Sequence, residues 1–201
     1  MKIVVAMKQV PDLQQIRIRN RQPILEGVPC TFGTIDKNAL EAAVQIKEKV
    51  DGEVVVVAVG SSELEDSIIE ALAAGADEAR LVMHEDALDS SQNSQLIAAA
   101  IKRLGTVDLI LFGEGSGDNY SSQVGSRVAY LLDLPQVGYA NSIEVDGDRV
   151  KVTRSLEDCE QILEVNLPAV ITVSSEINVP RIPSVTQILK AGRKPRESWD
   201  I

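Results

Sequence analysis

Short β-branched runs alternate along this chain with longer stretches in which apolar positions recur every three or four residues. Lys2–Met7 reads as a first strand. Across Lys37–Val50, Ala39, Leu40, Ala43, Val44, Ile46 and Val50 fit the period of an amphipathic helix. Gly52 then punctuates before a strand over Glu53–Val59. The pattern continues with a helix over Glu63–Ala74 stopped by Gly75, a strand over Glu78–Met83, a helix over Ser90–Leu104 stopped by Gly105, and a strand over Val107–Phe112. Glycine just past the last turn is a common helix stop. Successive strand-helix-strand units predict an α/β fold with a mostly parallel, doubly wound sheet and helices on both faces.

The grammar changes after an apolar helix over Val128–Leu132. Ser142–Val145 and Arg149–Ser155 flank Asp146-Gly147-Asp148, an Asp-Gly hairpin signal, and Gln161–Asn166 is a candidate third strand. A small antiparallel β extension on the sheet is expected. Pro168–Ser174 reads as a further strand, and the two prolines of Asn178–Ser184 break regular structure. A single nucleotide-binding-type domain over 1–190 and an exposed C-terminal tail over 191–201 are expected.

Composition narrows the function. The chain has 201 residues, 44% of them hydrophobic, enough for a sizeable core. A net charge of -10 speaks against nucleic acid or an anionic membrane, which need a basic face. Cys30 and Cys159 are far apart and His84 is the single histidine, so neither zinc nor a disulfide framework is indicated. No apolar stretch approaches about 18 residues, so no direct membrane insertion is expected and the chain reads as cytoplasmic.

One segment carries candidate chemistry. Gly113-Glu114-Gly115-Ser116-Gly117-Asp118-Asn119-Tyr120-Ser121-Ser122-Gln123-Val124-Gly125 follows an apolar strand and opens a helix. Glycines admit a ligand close to the backbone, serines add donors, and first-turn amides carry partial positive charge, a combination suited to phosphate. A tight turn with Ser122 as helix N-cap accounts for the same residues without a ligand. Asp118 would repel an anion, so it should face a ribose hydroxyl or the loop's own amides. The enzyme motifs fail: Met7-Lys8-Gln9-Val10-Pro11-Asp12 stands where a dinucleotide fold has its G-x-G-x-x-G, and Walker A and G-x-S-x-G patterns are missing.

Several segments in order complete the picture: Lys2–Asp12, Ala39-Leu40-Glu41-Ala42-Ala43, Ala71–Asp77, Asp118…Gln123-Val124-Gly125, Leu167-Pro168-Ala169-Val170 and Lys190–Pro195. Together they resemble the electron transfer flavoprotein β-subunit, with the 113–125 loop, Ser155–Asp158 and Ile177–Ser184 most similar to the Fix-type or carnitine-pathway branch. The resemblance implies a sheet of the adenine-nucleotide-binding type and no catalysis by the chain alone. It implies pairing with an α-subunit that carries the redox FAD, and a nucleotide held by the β-chain itself, either AMP or a second FAD. Carried over residue by residue, the nucleotide contacts fall on Ala6, Asp36, Val59, Gly60, Ser116, Asp118, Ser121, Ser122, Gln123, Val124 and Gly125. Leu13 aligns beside the α-subunit's flavin. Val185 aligns with the apolar anchor that docks a flavin-dependent dehydrogenase, and electrons would leave to a quinone-linked or low-potential acceptor. Of the family's Asn-Pro-Phe-Asp-Glu only Asp36 is kept, and a C-terminal arm is expected to be absent beyond Ile201. A stand-alone adenine-nucleotide sensor of the same architecture is the alternative, and an adenylating enzyme a more distant one.

Overall fold

The computed structural model describes residues 1–200. In chain order the elements are β1 (Lys2–Met7), β2 (Gln9–Pro11), β3 (Arg17–Arg19), β4 (Gln22–Ile24), β5 (Cys30–Phe32), α1 (Thr34–Val50), β6 (Glu53–Gly60), α2 (Leu64–Ala74) and β7 (Glu78–Met83). They continue with α3 (Ser90–Leu104), β8 (Leu109–Gly113), α4 (Val124–Leu132), β9 (Gln136–Asp146), β10 (Arg149–Ser155), β11 (Glu160–Asn166), β12 (Ala169–Val173), α5 (Val185–Ala191) and β13 (Arg196–Trp199). Nine strands form one sheet in the order β11-β10-β9-β12-β8-β1-β6-β7-β13. From β9 through β13 every neighbour is parallel, whereas β9-β10-β11 is an antiparallel meander.

Period-two alternation sorts the strand side chains onto two faces. Ile3, Val5 and Met7 join a core with Ala39, Leu40 and Val44 of α1 and Ile68 and Leu72 of α2. Val4 and Ala6 join one with Ile97 and Ile101 of α3 and Val128 of α4. Because β1 and β6 lie in the middle with helices on both sides, they read as continuous apolar runs. Each fully buried Val, Leu or Ile contributes roughly 1.5–3 kcal/mol, so these two layers hold the sheet rigid around β1.

The α/β class, the parallel sheet and the antiparallel extension agree with the sequence pattern. Several details differ. Helix α4 begins at Val124, four residues before the apolar stretch that signalled it, because its first turn is Gly, Ser and Arg. Strand β9 runs back to Gln136 and changes partner along its length, pairing with β12 first and with β10 later. Two small two-stranded sheets, β2-β5 and β3-β4, were not signalled, being three residues per strand.

The expected exposed tail is the largest correction. Arg196–Trp199 adds a parallel edge strand beside β7, with Trp199 only 8% exposed. The guanidinium of Arg103 lies 4.5 Å from its ring centroid and that of Arg80 5.5 Å, within the reach of cation-π attraction. Lys194 Nζ donates to the carbonyls of Leu72 (2.8 Å) and Ala76 (2.5 Å), tying the approach to the C-terminal end of α2. Ile201 lies outside the described residues.

Candidate functional site

The chain runs from β1 to β6 and β7 on one side, and α3 then carries it back across β1 to β8 on the other. In open α/β sheets the crevice beyond the strand carboxyl ends at such a reversal is where ligands bind. A cleft lies there, lined by Ala6 and Met7 of β1, Val59 of β6 and Gly113 of β8, with the start of α3 and the 114–123 loop as its walls.

Asp36, in the first turn of α1, closes the bottom of this cleft. Its carboxylate accepts hydrogen bonds from the backbone N–H of Lys8 (2.8 Å) and of Gly113 (3.2 Å), so one side chain clips the ends of β1 and β8 together. Gly113 is needed for that approach, since a Cβ there would sit 2.6 Å from Asp36 Oδ1. Burial pushes the Asp36 carboxyl up to about 7 even though both amides hold it down.

The loop above is held in an unusual backbone shape. Tyr120 and Ser122 have φ of 45° and 54°, left-handed values that cost non-glycine residues about 1–3 kcal/mol when surrounding contacts impose them. Tyr120 is fixed by donating its hydroxyl to Glu114 (2.6 Å) and by stacking on Gly115, where a Cβ would lie 2.9 Å from the ring. That hydrogen bond drives the Tyr120 phenol up to about 12.

Helix α4 opens toward the cleft without a side-chain cap. Its N-cap residue is Gln123, not Ser122, and Gln123 Oε1 instead accepts from Ser90 Oγ (3.3 Å) and Arg127 Nη2 (2.9 Å). The first-turn amides therefore keep the free N–H groups and partial positive charge that suit an anion. Charge in the wall is muted in the same sense. Asp89 is used by the amides of Ser91 and Gln92, Glu114 by Tyr120, and Asp118 by Lys8 Nζ at 2.5 Å. Burial raises the Asp118 carboxyl, but Lys8 and Ser116 outweigh it and hold it below the usual range.

Nine of the eleven cofactor residues expected from the sequence line the cleft; Gly60 and Asp118 do not. Gly60 ends β6 against Leu64, 3.2 Å from a Cβ placed there. Asp118 meets Lys8 rather than open space. Asp36 lines the cleft with both oxygens already used. Leu13 is half-exposed beside Gly117, and Val185 is exposed at the start of α5. Lys8, Ser90 and Asn93 also line the cleft, outside the residues expected from the sequence. Lys8 had a signal, a cation directly after the first strand; α3 offered none that separates a cleft wall from an ordinary helix start.

Among the described residues no His, Cys, Asp or Glu cluster could hold a metal, and no helix is long and apolar enough to cross a membrane. Both cysteines are exposed and unpaired.

A cleft at a sheet's switch point under an uncapped helix start makes this an α/β protein of the open, doubly wound class. The pattern of the electron transfer flavoprotein domain matches residues 25–201. The electron transfer flavoprotein subunit beta of Thermoanaerobacterium thermosaccharolyticum is 40% identical over 198 residues, covering 96% of this chain and 76% of that protein. The Clostridium acetobutylicum subunit beta is 39% identical over 203 residues, 99% and 78% of the two chains. The caffeyl-CoA reductase-Etf complex subunit CarD of Acetobacterium woodii is 38% identical over 205 residues, 100% and 78%. The chain belongs to the electron transfer flavoprotein β-subunit family, the small subunits of heterodimeric electron carriers.

Proposed function

We propose that the cleft holds an adenine nucleotide, AMP or a second FAD, and that the chain uses it to build one half of an electron carrier. The observation that carries this reading is the uncapped start of α4 facing a cleft whose lining carboxylates, Asp36, Asp89 and Glu114, already accept hydrogen bonds from the protein. The α4 amides and the hydroxyls of Ser121 and Ser122 would hold phosphate. Ala6, Val59 and Ile97 supply apolar surface for a ring. FAD supplies reversible one- and two-electron chemistry when bound, whereas AMP would serve as structure alone.

The chain's residues then position rather than react, the usual protein share when a cofactor carries the chemistry. Leu13, beside the 113–125 loop, faces the FAD of an α-subunit. Val185 anchors a flavin-dependent dehydrogenase, and electrons pass on to a quinone-linked or low-potential acceptor. Val179, Ile182, Val185 and Leu189, near one another in the chain, are all exposed, which supports the docking role. The reductase complex named for the Acetobacterium relative is consistent with such a partner.

The test is Ser122→Asp in the co-expressed heterodimer, with nucleotide released by denaturation and quantified. A carboxylate against the phosphate should reduce the β-bound nucleotide to a few per cent of wild type or less, since a desolvated like-charge contact costs several kcal/mol. Retention at the wild-type level would place the phosphate elsewhere.

A further inference from the structure

Between β12 and α5 the chain makes a segment, 178–184, that belongs to no helix or strand. Pro180 and Pro183 remove two backbone donors from it, so side chains must set its shape. Two sets of contacts do so, both to α1. Asn38 Nδ2 donates to the Asn178 carbonyl (2.8 Å), and Asn178 Nδ2 donates back to the Asn38 carbonyl (3.0 Å). One turn on, Arg181 donates from Nε to Glu41 Oε2 (2.7 Å), from Nη2 to Glu41 Oε1 (3.1 Å) and from its own backbone N–H to Oε2 (3.2 Å). Its Nη1 also reaches Glu48 Oε1 (2.8 Å).

Glu41 is the unusual member, a carboxylate only 6% exposed on a helix whose neighbouring positions Leu40, Ala43 and Val44 are core. A buried charge is kept only when paired. Burial pushes the Glu41 carboxyl up, but Arg181 and Gln45 more than reverse it. Such a pair, replaceable by apolar residues at little cost in stability, serves best as a device that fixes geometry. The geometry fixed here is an alternation. Asn178 and Arg181 turn inward to α1, while Val179 and Ile182 turn outward, 88% and 93% exposed, followed by Val185 at 74%.

We infer that Arg181 is a positioning residue, clamped by Glu41 and Glu48 so that Ile182 and Val185 project together as a preformed apolar anchor for the dehydrogenase. The inference rests on the docking role proposed for Val185. Pre-forming a loop lowers the ordering cost of binding, so the clamp acts on encounter with the partner and not on the nucleotide.

Arg181→Met alone would strand the Glu41 carboxylate and destabilise the chain for an unrelated reason. The informative variant is therefore Glu41→Gln with Arg181→Met, in the heterodimer. Its melting temperature should match wild type, while hydrogen exchange at residues 181–189 should accelerate about tenfold or more, reporting local opening. From a panel of purified flavin-dependent dehydrogenases, the one that reduces the wild-type heterodimer fastest serves as probe. Its KM should rise about tenfold with kcat unchanged, the mark of lost binding that does not change the reaction step. Exchange and KM at wild-type values would overturn the inference. Val185→Ala separates the layers: an unchanged KM there would sink the docking role itself, while a raised KM there beside a normal KM in the double variant would sink the clamp alone.

Discussion

Replacing Gly125 with alanine brings a Cβ to 2.6 Å from Thr172 Cγ2, while the next nearest atoms, on the Phe112 ring, stay at 3.6 Å. Thr172 cannot rotate away cheaply, because it is buried on β12 and its Oγ1 accepts from the Tyr139 N–H at 3.2 Å. Overpacking of this kind costs about 1–3 kcal/mol, and alanine returns up to about 1 kcal/mol of helix propensity in α4. The expected net loss is about 1–2 kcal/mol. Thr172→Ser keeps the hydroxyl and deletes the colliding methyl, at about 1 kcal/mol for lost burial. If the two effects were independent, the double variant would lose about 2–3 kcal/mol. The geometry instead has the new methyl fill the vacated space, leaving the double variant within about 1 kcal/mol of wild type. Urea unfolding of the four heterodimers at one concentration measures this, and simple additivity would refute the packing argument. Nucleotide content of the restored double variant then shows whether Gly125 also serves the ligand: a stable protein lacking nucleotide would mean that the bare backbone is needed there, and full content would confine Gly125 to packing.

Asp36 should give the protein a distinctive pH response. With its native carboxyl near 7 and an unfolded value of about 3.9, the folded state holds a proton that the unfolded chain releases, so this group's contribution to stability declines from about pH 4 to about pH 7 and is flat above. Asp36→Asn should therefore gain on wild type by a few kcal/mol over that window, and parallel stability curves from pH 4.5 to 8 would rule the titration out. Trp199→Ala should cost about 3 kcal/mol through lost aromatic burial and speed hydrogen exchange at the Ala79 and Leu81 amides of β7. Protection unchanged there would show that β13 is not held by its tryptophan.

The fold was legible wherever a pattern was long enough to repeat. The Val-rich runs at 2–7 and 53–59 and the helical periods at 37–50 and 90–104 state a buried parallel sheet with little ambiguity. The start of α4 was not legible, because Val124-Gly125-Ser126-Arg127 has no apolar period, and its helicity is set by packing on β12 and β8. β13 was hidden for the same reason: Arg-Glu-Ser-Trp alternates nothing, and its place follows from one indole and two arginines contributed by β7 and α3. At the site, the glycine and serine loop was visible as a strand-to-helix turn, and its residues wall the cleft. The partners that neutralise it, Lys8 on Asp118 and Gln123 on Arg127 and Ser90, depend on contacts across 4 to 110 positions of sequence. Asp36 could be named from the resemblance, but its use as a backbone clip could be seen only once β1 and β8 were side by side.

The central claim is that this chain holds a nucleotide of its own beside the FAD of its α-subunit. Co-expression with a candidate α-subunit, denaturation and chromatographic counting test it directly. Two nucleotides per heterodimer are expected: one FAD with one AMP identifies a single-flavin carrier, and two FAD identify a second flavin in the cleft between β1 and β8. One FAD and no further nucleotide would contradict the account.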